Sequence, residues 1–361
     1  MNIACICSTK NEADVIEAFV RLNGRVCNSF FFVDESSDNT REIIDLLARE
    51  GYDLRYLTKS EGGYNQPGPT KAYLSSVKKL VNPDWIFLLD ADEILIAPDK
   101  NKLLAEMKDI PSRTYLAAEW KTYVPTTLGF ADSRSPLSEC FALRKDQGEP
   151  YKKVSVPGRI VDDVITTPGN HTIRFLDGST IREQVAKSYY LAHFPVRSAE
   201  QIVVKNLIAT HNLRARVDTE KGEGIHVSPV FNTIRRRGYK LSLEDLRRLA
   251  INYGSGDESS KFVREDQLDF SASDELRTEL RYSELARIDV VARLDSEIER
   301  LSMELKKRRN AARVDGLFLQ AHARPVAKGG SPRTAGSANT PLSLPKNPHE
   351  VRSHVSRIRP D

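Results

Sequence analysis

Trp85-Ile86-Phe87-Leu88-Leu89-Asp90-Ala91-Asp92 is an apolar run that ends on two acids, and its reading decides the fold. Five consecutive apolar residues point to a buried strand. The strand delivers both carboxylates to one side, because alternate residues share a face. Open α/β sheets bind ligands beyond the carboxyl ends of their strands. Two carboxylates there suit Mg²⁺ or Mn²⁺, which prefer oxygen ligands. Such an ion can bridge the two phosphates of a nucleotide-activated substrate. An acid-x-acid triplet alone says little in a chain with 50 Asp and Glu.

Upstream, strand and helix signals alternate. Ile3 to Cys7 is an apolar run followed by Ser8-Thr9-Lys10-Asn11-Glu12. Val15, Ile16, Phe19, Val20 and Leu22 then share one helical face. Phe30 to Val33 reads as a second strand, ended by Asp34 to Asp38, after which Asn39 or Thr40 can cap a helix. Leu54 to Leu57 is a third strand, and a Gly/Pro-rich loop from Gly62 to Pro69 leads into a helix over 70–80. This alternation predicts an α/β fold, a mainly parallel sheet with helices on both faces.

Downstream the pattern loosens. Strands are expected at Tyr115–Val124, at Cys140–Arg144, in short pieces between Lys153 and Ile181, and at Tyr189–Phe194, forming an antiparallel extension of the sheet. Ser198 caps a helix to about Arg214, and residues 241–253 and 274–309 read as helical. Val291, Leu294, Ile298, Leu301 and Leu305 step by three and four, expected as a stripe packed on the domain, since two heptads are few for a coiled coil. From about Arg313 the composition is that of a disordered tail. The expected organisation is a catalytic domain over 1–215, a helical extension over 216–312 and a tail over 313–361.

The chain has 361 residues, 40 % of them hydrophobic, enough for one large domain with appendages. A formal net charge of +4 argues against wholesale nucleic-acid binding. Basic runs at Arg235–Arg237, Arg247–Arg248 and Lys306–Arg309 concentrate in the last third. They read either as solvated helix faces or as contacts to an anionic membrane surface or acceptor. Cys5, Cys7, Cys27 and Cys140 are too few for a disulfide framework and are expected as buried thiols. No run approaches the roughly 20 apolar residues that span a bilayer. Lys10, Asn11 and Glu12 interrupt any leader-like segment, so a cytoplasmic location is expected, with peripheral contact at the inner membrane face.

Three polar clusters thus follow three strands: Ser8–Glu12, Asp34–Asp38 and Asp90–Glu93. Side chains of Ser8, Asn11, Glu12 and Glu35 can hold a nucleoside, and Asp90 and Asp92 a cation at its diphosphate. Helix capping is the other reading of Asp34–Asp38.

Together, Thr9-Lys10-Asn11-Glu12, Val33 to Thr40 and Leu88 to Leu95 resemble family 2 glycosyltransferases of the GT-A fold. The branch with Trp-x-x-x-x-Asp-x-Asp-Glu, similar to the family 92 enzymes, is nearest. His193-Phe194-Pro195-Val196-Arg197-Ser198, with Gln201 and Lys205, resembles that branch's His-x-Pro-x-Arg-Ser segment, and Lys153 and Asn170-His171 match its intermediate positions less specifically. The resemblance covers roughly residues 1–215. It implies a nucleotide-sugar donor, Mn²⁺ or Mg²⁺, and transfer to a hydroxyl of a glycan or lipid-linked acceptor. Asp90 would lie near ribose and metal, Asp92 would ligate the metal, and His193 would close that site. Lys71, Lys153 and Arg197 are candidates for the donor phosphates, and Gln66 for sugar hydroxyls.

The sequence departs from the family at two points. Asp34-Glu35-Ser36-Ser37 replaces the usual Asp-Asp-Gly-Ser turn, and the adjacent Glu-Asp pair that supplies a base is missing from the middle segment. Glu244-Asp245 comes too late and reads as a helix surface. Glu93, Asp132 and Asp163 are the remaining candidate bases. Trp120 either packs in the core or stacks on a sugar ring. Two other functions compete: a sugar-1-phosphate nucleotidylyltransferase, which normally carries a Gly-rich basic loop that Ser8–Glu12 lacks, and a non-catalytic binder of the same fold.

Overall fold

The computed structural model describes residues 1–58, 67–129, 135–145, 151–215, 227–253, 264–303 and 305–306. Met1–Glu304 form one compact unit and Leu305–Asp361 a second. Every described strand belongs to the first.

β1 (Ile3–Thr9), α1 (Ile16–Asn23), β2 (Ser29–Asp34), α2 (Thr40–Arg49), β3 (Asp53–Tyr56), α3 (Pro67–Val81) and β4 (Trp85–Asp90) alternate as the sequence pattern requires. All four strands are parallel, in the order β4-β1-β2-β3. Side-chain alternation divides the core. Cys5, Cys7, Phe30, Phe32, Phe87 and Leu89 face α1 and α2, while Ala4, Ile6, Phe31, Ile86 and Leu88 face Leu74 and Val77 of α3. Both faces are therefore buried, which is why these strands are unbroken apolar runs. Phe19 of α1 meets Phe30 and Phe32 edge-on at 5.9 and 6.4 Å. Each such ring contributes about 1.5–3 kcal/mol by leaving water.

The rest extends this frame. β5 (Glu93–Ile96), α4 (Lys100–Lys108), β6 (Thr114–Pro125), α5 (Pro136–Glu139), β7 (Phe141–Arg144) and β8 (Lys152–Pro157) follow in turn. Next come β9 (Val164–Thr166), β10 (Ile173–Phe175), β11 (Arg182–Val185) and β12 (Tyr190–His193). β8 lies antiparallel between β4 and β6, so the sheet continues past β4 as β8-β6-β7. β12 pairs with both β5 and the end of β6, setting His193 opposite Glu93 and Thr122. The antiparallel extension expected from the sequence is present.

α6 (Ala199–Ala215), α7 (Val227–Arg236) and α8 (Leu243–Ile251) share an apolar cluster of Val196, Ile202, Val230, Ile234, Leu246 and Leu249. α7 was not legible as a separate helix. Ser198 Oγ accepts from Gln201 N at 3.1 Å, the expected cap of α6. Asp245 completes a capping box with Ser242 at the start of α8, so Glu244-Asp245 opens a helix. β13 (Leu268–Asp269) adds an edge strand on β7.

Two expectations for the C-terminal helix are corrected. Residues 277–289 are irregular, and the helix, α9, begins at 290 and is described to 303. The apolar stripe does not pack inward: Val291 and Ile298 are 77 % and 61 % exposed, whereas Arg293 and Glu297 are each 5 % exposed. Specific hydrogen bonds to the domain outweigh the apolar pattern here. The chain also meets the body through Glu17, whose carboxylate accepts from Arg281 N and Tyr282 N at 2.7 and 2.9 Å.

Candidate active site

Ser8, Val33 and Asp90 occupy one level of the sheet, in register across β2, β1 and β4. The loops beyond β1 and β2 are stitched together. Asn11 adopts φ +60°, a left-handed conformation that Asn tolerates. Asn11 N donates to Ser36 Oγ and Ser37 N donates to Asn11 Oδ1, both at 2.8 Å. Glu12 N donates to Thr40 Oγ1 at 2.9 Å, and Thr9 Oγ1 to Asp34 Oδ1 at 2.9 Å. Arg293 of α9 then clamps both loops, donating to Asn11 O at 3.3 Å and pairing with Asp38. Asn11 therefore holds the loops rather than facing a ligand. Ser8 is half-buried and Glu35 exposed at the same edge.

Between β2 and β3 lies a cavity of about 220 Å³ lined by Asp34, Arg41, Tyr56, Leu57 and Thr58. The Arg41 guanidinium covers the Tyr56 ring at 4.4 Å. Sequence reasoning missed Arg41 and Tyr56, because the packing of α2 against β3 brings them together. A larger cavity, about 790 Å³, sits at the opposite edge beside Asp84, Trp85 and Gly158, away from the carboxylates. Size alone does not mark the site here.

The carboxylates arrive differently from the expectation. β4 ends at Asp90, Ala91-Asp92 form a turn, and Glu93 opens β5, so Asp90 and Asp92 are not on one strand. Phe194 N donates to Asp92 O at 2.9 Å, which fixes the turn against the end of β12 and brings His193 alongside. Asp90 Oδ2 accepts from Lys153 Nζ at 2.6 Å. Glu93 is fully buried; its Oε2 accepts from Asp90 N at 2.9 Å and its Oε1 from Trp120 Nε1 at 2.8 Å. Asp92 Oδ2 accepts from Lys205 Nζ at 3.0 Å, with Arg197 Nη1 3.6 Å away. Arg197 donates to Asp14 Oδ2 at 2.7 Å and pairs with Glu12, which Lys205 also reaches at 3.2 Å.

Among the described residues, the ion pairs of this network set Glu12, Asp14, Asp90, Asp92 and Glu93 against Lys153, Arg197 and Lys205, five acids to three bases. Burial, aided by Asp90 and Asp92, pushes Glu93 up to about 8 against the pull of Lys153. Lys153 itself stays charged, because Asp90 and Glu93 outweigh its burial; Glu93 is the member that takes up a proton. Burial also raises Glu12, with Lys205 and Arg197 opposing. Burial works against Asp92 too, but Lys205, His193 and Arg197 hold it below the usual carboxylate range. Burial lowers His193 to about 4, so its imidazole is neutral at pH 7.

Two carboxylates and a neutral imidazole, in a network with more acids than bases, match the chemistry of a hard divalent cation. Among the described residues, however, no three His, Cys, Asp or Glu side chains converge as a ready-made metal site. A cation would have to share Asp92 with Lys205.

Other expected residues lie elsewhere. Arg197 does not face phosphates: it is 1 % exposed and consumed by Glu12 and Asp14. Glu12 is correspondingly an ion-pair partner inside the fold rather than a nucleoside ligand. Lys153 reaches the site only through Asp90 and Glu93. Lys71 Nζ donates to the carbonyls of Val161 and Asp162, and Asp163 is exposed on the same 3-10 turn along α3. Neither belongs to the carboxylate network. Glu93, with both oxygens engaged and no exposure, is placed to position Asp90 and Trp120 rather than to meet an acceptor. Gln66 and Asp132 lie outside the described residues. Asp14 and Arg293 were missed; an acid in α1's approach and an arginine in a C-terminal helix carry no local signal. The four cysteines are buried, free thiols.

Residues 5–156 match the family described as Glycosyl transferase family 2. That segment is a family 2 glycosyltransferase domain. The match takes in β1 through most of β8, with the loops after β1 and β2 and with Asp90, Asp92, Glu93 and Lys153. No curated protein matches the chain. Residues 1–349 of TarS from S. aureus are similar at 14 % identity over 68 % of this chain and 77 % of that one, with a TM-score of 0.33. Mannosyl-3-phosphoglycerate synthase from Rubrobacter xylanophilus is similar at 18 % identity over 34 % of this chain and 41 % of that one, TM-score 0.25. Glucosyl-3-phosphoglycerate synthase from Mycobacterium tuberculosis, with Mn²⁺, uridine diphosphate and phosphoglyceric acid, is similar at 14 % identity over 61 % and 80 %, TM-score 0.33.

Proposed function

We propose that this glycosyltransferase moves a sugar from a nucleotide-sugar donor, a UDP-sugar, to a hydroxyl of a glycan or glycolipid acceptor. The bond between the anomeric carbon and the diphosphate oxygen breaks, and the acceptor oxygen bonds to that carbon. The acceptor's proton passes to a base, and the nucleoside diphosphate leaves. One observation carries the reading. A base-sized cavity at Asp34 and Tyr56 and a network richer in carboxylates than in cations lie along one strand-end edge.

Asp34, with Ser8 and Glu35 beside it, would meet the nucleoside. Asp90, Asp92 and His193 would hold Mn²⁺ or Mg²⁺, which would stabilise the charge developing on the leaving diphosphate. Lys153 pairs with Asp90 at 2.6 Å, and Lys205 helps to hold Asp92 ionised. In this reading residues 1–215 carry the chemistry and the extension to 312 supports it. A membrane-surface role draws little from the basic runs. Arg237 pairs with Asp245 and Arg248 with Glu244, and Arg247 donates to Pro125 O. No described helix is long and apolar enough to cross a membrane.

A thermal-shift screen of nucleotide sugars with and without Mn²⁺ tests this. A ligand selective for the folded protein stabilises it, so a UDP-sugar should raise Tm, and raise it further with Mn²⁺. No response to any nucleotide sugar would overturn the proposal.

A further inference from the structure

Beyond the nucleotide and carboxylate residues, a group of aromatic rings stands at the same edge. Trp120 lies 5.9 Å from Tyr151 and 5.5 Å from His171, and those two lie 5.2 Å apart. Trp120 also stacks on His193 at 4.4 Å and 15°. Two polar atoms of the group are tied down: Trp120 Nε1 donates to Glu93 Oε1 at 2.8 Å, and His171 Nδ1 lies 2.8 Å from Lys152 O. Tyr151 is outermost, at 37 % exposure.

Sheet order places this group. Across the edge run the cavity of β2 and β3, then the carboxylate at the end of β4, then β8 and β6. Glu119 of β6 pairs with Lys152 of β8, so Trp120 and Tyr151 both stand just beyond that level. A donor lying with its base at Tyr56 and its diphosphate at Asp90 points its sugar toward these rings. The acceptor hydroxyl must approach from there.

We propose that Tyr151, backed by Trp120 and His171, is the stacking platform for a sugar ring of the acceptor, which is therefore a saccharide. This rests on the glycosyl-transfer reading above. A pyranose has an apolar C–H face that suits an aromatic ring, and hydroxyls that suit a polar rim. The alternative, a small anionic acid, would need cations to bind it. Those nearest the platform are engaged: Lys152 pairs with Glu183 at 2.9 Å, and Lys153 with Asp90 and Glu93. His171 adds no charge, since its burial lowers its pKa.

The test uses the full chain with UDP and Mn²⁺ and follows saturation transfer by NMR to the methyl glycosides of glucose, galactose, mannose and N-acetylglucosamine, and to 3-phosphoglycerate. At least one glycoside should receive saturation on its ring C–H protons. Tyr151→Ala should weaken its binding about tenfold, while Tyr151→Phe should hold it within about twofold, because the ring and not the hydroxyl does the work. Release of UDP from the donor in the absence of acceptor should be unchanged in both variants. Binding of 3-phosphoglycerate alone, equal glycoside binding by wild type and Tyr151→Ala, equal loss in both variants, or a parallel fall in UDP release would overturn the inference. Absence of UDP release by the wild type would instead defeat the transfer reading, and this one with it.

Discussion

Lys153 Nζ stands 2.6 Å from Asp90 Oδ2 and 3.3 Å from Glu93 Oε1, so one lysine of β8 balances both acids that flank the β4–β5 turn. Its side chain is 2 % exposed and Glu93 0 %, whereas Asp90 is one-third exposed, so solvent screens part of the group. Removing Lys153 strands the Asp90 charge, at about 1–3 kcal/mol with that screening. Lys153→Met should lower urea-unfolding stability by that order. Adding Glu93→Gln should change that loss little, because Glu93, pushed up to about 8, already carries a proton at pH 7. A loss below about 1 kcal/mol would mean that water reaches the pair.

Arg293 joins the loops after β1 and β2 through Asn11 O and Asp38. Arg293→Ala should therefore loosen the nucleoside side of the site more than the reacting end. Steady-state kinetics of UDP release should show KM for the donor rising about tenfold with kcat within about threefold. Arg293→Lys should recover only part of this, since a lysine cannot span two acceptors as a guanidinium does. An equal fall in kcat would show that the clamp shapes the whole centre.

Glu50 connects three elements. Arg21 of α1 donates to both its oxygens at 2.8 Å, and Tyr282 of the C-terminal segment donates to Oε1 at 2.6 Å. The Arg21 hydrogen bonds lower its pKa to about 2, with Tyr282 adding to them against burial. A carboxylate lowered in the folded state stabilises it above the unfolded value, about 4.5, and loses that contribution as pH falls toward 2. Glu50→Gln should cost about 1–3 kcal/mol at pH 7. Chemical denaturation at stepped pH should show the gap to wild type closing between pH 4.5 and 2. A gap independent of pH would assign the loss to packing.

The parallel half of the fold was legible because its strands are buried on both faces. Phe30–Val33 and Trp85–Leu89 have no other stable place, and the polar clusters after them mark the strand ends. The carboxylates were legible as chemistry but not as geometry, since nothing in Asp90-Ala91-Asp92-Glu93 says that the strand stops at Asp90. Partnerships across long separations stayed hidden. Arg197 with Asp14, Arg293 with Asp38, and Arg41 over Tyr56 depend on how helices pack and strands are ordered. The stripe at Val291 and Ile298 misled because a helix can be held by its polar face when buried ion pairs await it.

UDP release from UDP-sugars tests the central claim most directly, measured with Mn²⁺, with the metal chelated, and in Asp90→Asn. Asp90 is one-third exposed, so this exchange should spare the fold. The wild type with Mn²⁺ should release UDP, and both chelation and Asp90→Asn should lower the rate at least about a hundredfold. Equal rates under all three conditions, or no UDP from any donor while UTP and a sugar phosphate yield pyrophosphate, would contradict glycosyl transfer at this edge.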